Sequence, residues 1–179
     1  MDRLGIRGDG DLELSTAYDV AARPEADVPW LVPGLLYYQD AVIVVAGEGA
    51  GKSQLARQVA LCAEAGLHPF TRHEIPPIRT LTIDLENKRR AMTDSFRLAL
   101  RSIQARDGMA DWQPKGPVWE APGGMNLLDG RDRRRLTEAI RRTRPDLVFF
   151  GPVYKSFRPT AGMKDDSAAL EVTGFFDEL

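Results

Sequence analysis

Ala41-Val42-Ile43-Val44-Val45-Ala46-Gly47-Glu48-Gly49-Ala50-Gly51-Lys52-Ser53 is the stretch whose reading decides the fold. The apolar, largely β-branched run over 41–45 predicts a strand. The glycine-rich stretch after it predicts a loop. From Lys52 onward Leu55, Ala56, Val59, Ala60 and Ala63 recur at helical spacing, with Gly66 as the stop. A strand, a glycine loop and a helix in that order suit a polyphosphate, which needs closely spaced backbone N–H groups at the positive end of a helix dipole. Gly47, Gly49 and Gly51 let the backbone approach without a clashing Cβ, and Glu48 and Ala50 complete the loop. Lys52 offers a cation to the terminal phosphates, and Ser53 a hydroxyl to Mg²⁺. Ala46 stands where the motif usually begins with Gly. The competing reading is a strand-to-helix turn that binds nothing, against which the Gly-Lys-Ser triplet opening the helix weighs heavily.

The 179 residues suit one domain, long enough to bury a core. With 43% hydrophobic and 28% charged residues the composition is that of a globular protein, so disordered and fibrous classes are excluded. A formal net charge of -2 means that any nucleic-acid contact must come from a local basic patch. Cys62 has no partner for an internal disulfide and reads as a small buried hydrophobe in a reducing compartment. No apolar run approaches membrane-span length, and Met1-Asp2-Arg3-Leu4-Gly5 lacks a signal peptide's apolar stretch, so the expectation is a cytoplasmic protein with no membrane partner.

Residues 1–28 are polar and read as an arm or lead-in. Trp30-Leu31-Val32-Pro33-Gly34-Leu35-Leu36 is an apolar segment with a Pro-Gly turn, expected to pack onto the sheet, with Trp30 a candidate for either core packing or a nucleotide base pocket. Further strands are predicted over 80–85, near 117–120 and over 147–150. Helices are predicted over about 89–105 and 132–143, and from Ser167 onward. This alternation calls for an α/β fold, a parallel β-sheet flanked by helices.

Asp84-Leu85-Glu86-Asn87 closes the strand predicted over 80–85, at the end where ligands bind in open α/β sheets. Strand alternation allows Asp84 and Glu86 to share a side. Glu86 is the candidate to orient and deprotonate water, and Asp84 to hold a metal-bound water; alternatively Glu86 caps the following helix. An apolar strand such as 147–150 ordinarily ends in an Asp that serves the metal, but Gly151 and Pro152 stand there, and Asp146 lies at the wrong end. Either Asp84 supplies the carboxylate, or metal binding rests on Ser53 and the phosphates, or nucleotide is hydrolysed slowly.

The segments 30–35, 47–53, 83–87 and 145–152 together resemble the RecA-like ATPases, most of all phage- and plasmid-type replicative helicases and their AAA-labelled relatives. The resemblance covers about residues 28 to 179. It implies a RecA-like P-loop core over 29–179, apparently truncated at the C-terminus before its final strand, with Glu86 as the catalytic glutamate. It further implies ATP and Mg²⁺ as ligands, a homo-oligomeric ring or filament, and single-stranded DNA as the polymer acted upon. In such proteins the loop after strand 147–150 faces the DNA; here it carries Lys155, Arg158 and Lys164, with Tyr154 and Phe157 available for stacking. The alternative for that loop is a solvated surface.

The arginine-rich segment from Arg131 to Arg144 reads as the outer face of a helix, and His68 and His73 lack the spacing of a zinc site. The function expected is an ATP-binding and ATP-hydrolysing core of a DNA helicase or a related replication or recombination protein. The alternative is a nucleotide-binding switch with little turnover. A small-molecule kinase fits less well, because no arginine-rich lid follows the loop.

Overall fold

The structure, a computed structural model, describes residues 15–22, 29–47 and 49–156. Glu48, Phe157, Arg158, Lys164 and the helix expected from Ser167 lie outside the described residues. The elements run α1 (Ala17–Ala21), β1 (Trp30–Val32), β2 (Leu36–Tyr37), α2 (Lys52–Glu64), β3 (Thr80–Asp84), α3 (Arg89–Gln104), β4 (Val118–Glu120), α4 (Gly130–Thr143) and β5 (Leu147–Gly151), followed by a 3-10 turn at Val153–Ser156.

β3 is the centre of a three-stranded sheet of order β4-β3-β5, parallel throughout. Parallel neighbours require crossovers, which α3 and α4 provide. Alternation along β3 sorts its side chains. Leu81 and Ile83, with Leu85 beyond the strand, pack against Met125, Leu127 and Leu136, the last from α4. Each such large apolar side chain contributes about 1.5–3 kcal/mol when fully buried. Asp84 is out of phase with them and faces α2 instead, which packs on α3 through Leu61, Cys62, Ala99 and Ile103. Helices therefore cover both faces of a parallel sheet, the α/β architecture expected from the alternation.

Helix ends follow from local chemistry. Gly66 has φ +71, and the Gly66 and Leu67 amides donate to the Ala63 and Cys62 carbonyls, so the last turn of α2 is closed by a left-handed glycine. At α4, the Asp129 carboxylate caps the Arg131 amide, and the chain turns at Arg144 before Pro145. The arginines at 131, 134, 135, 141, 142 and 144 are exposed, as expected of an outer face.

The sequence expectation fails at 41–45. These residues form no strand, and Val42, Ile43, Val44 and Val45 are exposed. A β-branched run favours extended backbone, but a strand exists only where its N–H and C=O groups meet a neighbour's, and no described segment pairs with this one. The apolar segment from Trp30 turns at Pro33-Gly34 as expected, and its two arms form a hairpin in which β1 and β2 pair antiparallel. Leu31 and Val32 take the core positions, beside Ala63 and Ile78. Trp30 is 44% exposed and stacks on Tyr37, with ring centroids 3.7 Å apart, so of its two candidate roles it does not take that of core packing.

No helix among the described residues is long and apolar enough to cross a membrane.

A close approach at Gly116 positions the segment leading into β4. A Cβ there would lie 2.6 Å from Thr80 Oγ1, 2.8 Å from Glu64 Oε1 and 2.9 Å from the Thr80 carbonyl oxygen. Gly116→Ala is expected to destabilise the protein by about 1–3 kcal/mol, read as a lowered urea midpoint at unchanged m-value. An unchanged midpoint would show that β3 and α2 give way freely here.

Candidate nucleotide site

α2 forms as the sequence predicts, and the described glycines of the loop lie just before it. Gly49 and Gly51 have φ +73 and +88, left-handed values that a side chain disfavours, and Gly51 is the residue from which α2 starts. Among the described residues no side chain caps this helix, so its first amides have neither an intrahelical nor a described side-chain acceptor. The space into which a Cβ would project at Gly47, Gly49 and Gly51 is open. Lys52 Nζ lies over the loop and donates to the Ala46 and Gly47 carbonyls at 2.6 and 2.8 Å, while Ser53 is exposed in the first turn. Uncapped amides, an open glycine cradle, an ammonium group above it and an accessible hydroxyl fit a magnesium-bound nucleoside triphosphate.

Asp84 sits at the end of β3 with both carboxylate oxygens engaged. Oδ1 accepts from the Glu86 and Asn87 amides at 3.0 and 2.7 Å; Oδ2 accepts from Asn87 Nδ2 at 2.8 Å and from the Arg57 guanidinium at 3.0 Å. Burial by itself would raise this carboxyl's pKa. The hydrogen bonds from Asn87 and Glu86, with the Arg57 charge, outweigh it and hold the group below the ordinary aspartate value. A metal-ligand role for Asp84 therefore requires an exchange of these partners.

Glu86 lies past the end of β3, so strand alternation does not place it beside Asp84. It also does not cap α3, which starts from Lys88 without a side-chain cap. Its carboxylate instead accepts a 2.7 Å hydrogen bond from the Tyr154 hydroxyl, and Lys155 Nζ is 3.8 Å from the same oxygen. Two candidates that the sequence kept apart, the water-orienting carboxylate and the first residue of the basic loop, are thus in contact. Gly151, at the end of β5, pairs with Asp84 in the sheet, and its carbonyl accepts from the Leu85 amide. The last residue of β5 thus carries no carboxylate of its own.

Sequence reasoning missed Arg57. It is 5% exposed, on the same helix as Lys52 and three and four residues before the buried Ala60 and Leu61. A charge on an inward helical face was the signal that could have found it. His68 is also structural: its Nδ1 accepts from the Phe70 and Thr71 amides, and its Nε2 meets the Pro33 carbonyl at 3.0 Å. Among the described residues no group of three or more His, Cys, Asp or Glu is arranged to hold a metal ion by itself.

A parallel sheet covered by helices, with a glycine loop running into Gly-Lys-Ser at a helix start, defines a phosphate-loop nucleotide-binding protein. A family model described as an AAA domain matches residues 11–179, and the chain belongs to that family of P-loop ATPases. No curated protein and no solved structure matches the chain.

Proposed function

We propose that the chain is the ATP-hydrolysing core of a DNA helicase or a related replication or recombination protein. The loop amides and Lys52 hold the phosphates of ATP. Ser53 is the residue to hold Mg²⁺, which when bound neutralises phosphate charge. Glu86 orients and deprotonates the attacking water. Lys155, with Arg158 and Lys164, neutralises phosphates of single-stranded DNA. A neighbouring subunit in a ring or filament completes the site.

The observation that supports coupling to a polymer is the contact of Glu86 with Tyr154 and Lys155. A strand drawn to Lys155 competes for the same ammonium group and loosens the contacts that hold Glu86. The test is ATP hydrolysis by the chain with and without single-stranded DNA. Stimulation that fades as salt rises from 50 to 200 mM, about the range over which phosphate contacts weaken, is the expected result. A second reading, a nucleotide-binding switch with little turnover, is favoured by Gly151 at the end of β5 and by the full engagement of Asp84. ATP binding without turnover, even with DNA added, would decide for it.

A further inference from the structure

α2 starts at the phosphate loop, and one buried side chain on it reaches the turn that carries Glu86. Arg57 donates through one guanidinium nitrogen to Asp84 Oδ2 at 3.0 Å and through the other to Ser95 Oγ at 2.9 Å. Ser95 Oγ in turn donates to Gln54 Oε1 at 2.6 Å, on the first turn of α2. The guanidinium group also lies over the Phe96 ring, 5.5 Å from its centroid. Asp84 passes the restraint on, because its other oxygen accepts the backbone amides of Glu86 and Asn87.

We infer that Arg57 is a positioning residue: acting through Asp84, it ties the Glu86 turn to the phosphate-loop helix, so that loop and glutamate are held as one unit. This rests on the reading of Glu86 as the residue that orients water. Both members of the Arg57–Asp84 pair are nearly excluded from solvent, with side chains 6% and 7% exposed. Such a pair is a poor stabiliser, since desolvation offsets most of the attraction, and an apolar pair would serve packing as well. What the pair supplies is geometry. A guanidinium presents two donors in a fixed fork, so it spans Asp84 on β3 and Ser95 on α3 at once; a lysine ammonium, a flexible point charge, does not impose that fork. From Lys52 to Arg57 the connection is rigid helix, about 1.5 Å per residue, with no hinge to absorb a displacement at the loop.

The experiment compares the full chain with Arg57→Lys and Arg57→Met. It measures Mg-ATP affinity, kcat and KM for hydrolysis, and hydrogen exchange at the Glu86 and Asn87 amides with and without Mg-ATP. The expected result for Arg57→Met is affinity within about threefold of wild type, kcat at least about tenfold lower, and loss of the ATP-induced protection at the two amides. Arg57→Lys, which keeps a buried cation and is the safer variant to fold, should fall between. A purely structural pair would lower the melting temperature of the variants but leave kcat and the ATP-induced protection at wild-type values, and that outcome in Arg57→Lys and Arg57→Met overturns the inference alone. If the wild type binds ATP without turnover, the amide comparison decides. If the wild type does not bind ATP, the nucleotide reading falls and this inference with it.

Discussion

Glu86→Gln is expected to lower ATP turnover by about 10²–10⁴-fold, the range a positioned general base contributes, with Mg-ATP affinity retained. The substitution is informative because it keeps size and shape. A glutamine oxygen still accepts the Tyr154 hydroxyl, which now meets Glu86 Oε1 at 2.7 Å, so the side chain has a reason to stay where it is. What it loses is the negative charge that draws a proton from water and faces Lys155 at 3.8 Å. Single-turnover hydrolysis, paired with equilibrium binding of a fluorescent nucleotide, separates the two effects. Unchanged single-turnover rates would remove Glu86 from the chemistry, and loss of binding would make it a ligand contact instead.

Lys52→Ala is expected to weaken Mg-ATP binding by about 10- to 150-fold. A hydrogen bond to a charged group is worth roughly 1.5–3 kcal/mol, and each 1.4 kcal/mol is about a tenfold change in affinity. The ammonium group already lies over the loop, held by the Ala46 and Gly47 carbonyls, so little reorganisation separates it from a phosphate oxygen in the same cradle. Those carbonyls remain solvent-accessible, since residues 46 and 47 are exposed, so the fold should survive the change. Isothermal titration with Mg-ATP checks it. An affinity equal to wild type would mean that the glycine loop is a structural turn and that the central reading is wrong.

Much of the framework was legible in the residues. The helical spacing from Leu55 to Ala63 and the stop at Gly66 are local properties, and α2 ends there through that glycine's left-handed backbone. The spacing of Met92, Ala99 and Ile103 likewise places α3, because a helix must turn its apolar stripe inward. The loop was legible because Gly-Lys-Ser at a helix start answers a chemical demand that few other arrangements meet. The site was less so. Asp84 looked like a ligand because a carboxylate at a strand end is usually free to be one. Its engagement by Arg57, 27 residues away, depends on which faces of β3 and α2 meet.

The sequence by itself determined the order of β3, α3, β4, α4 and β5 after α2, the glycine loop before α2, and the candidates Lys52, Ser53 and Glu86, because periodicity and motif chemistry act over a few neighbouring residues. Tertiary structure decided the pairings. It left the apolar run 41–45 without a strand partner among the described residues, because backbone pairing needs a second segment and no local preference supplies one. It brought Tyr154 to Glu86 across 68 residues and buried Arg57 against Asp84. The first contact follows from how the parallel strands β3 and β5 align their carboxyl ends, and the second from which faces of α2 and β3 meet; both are properties of the assembled fold.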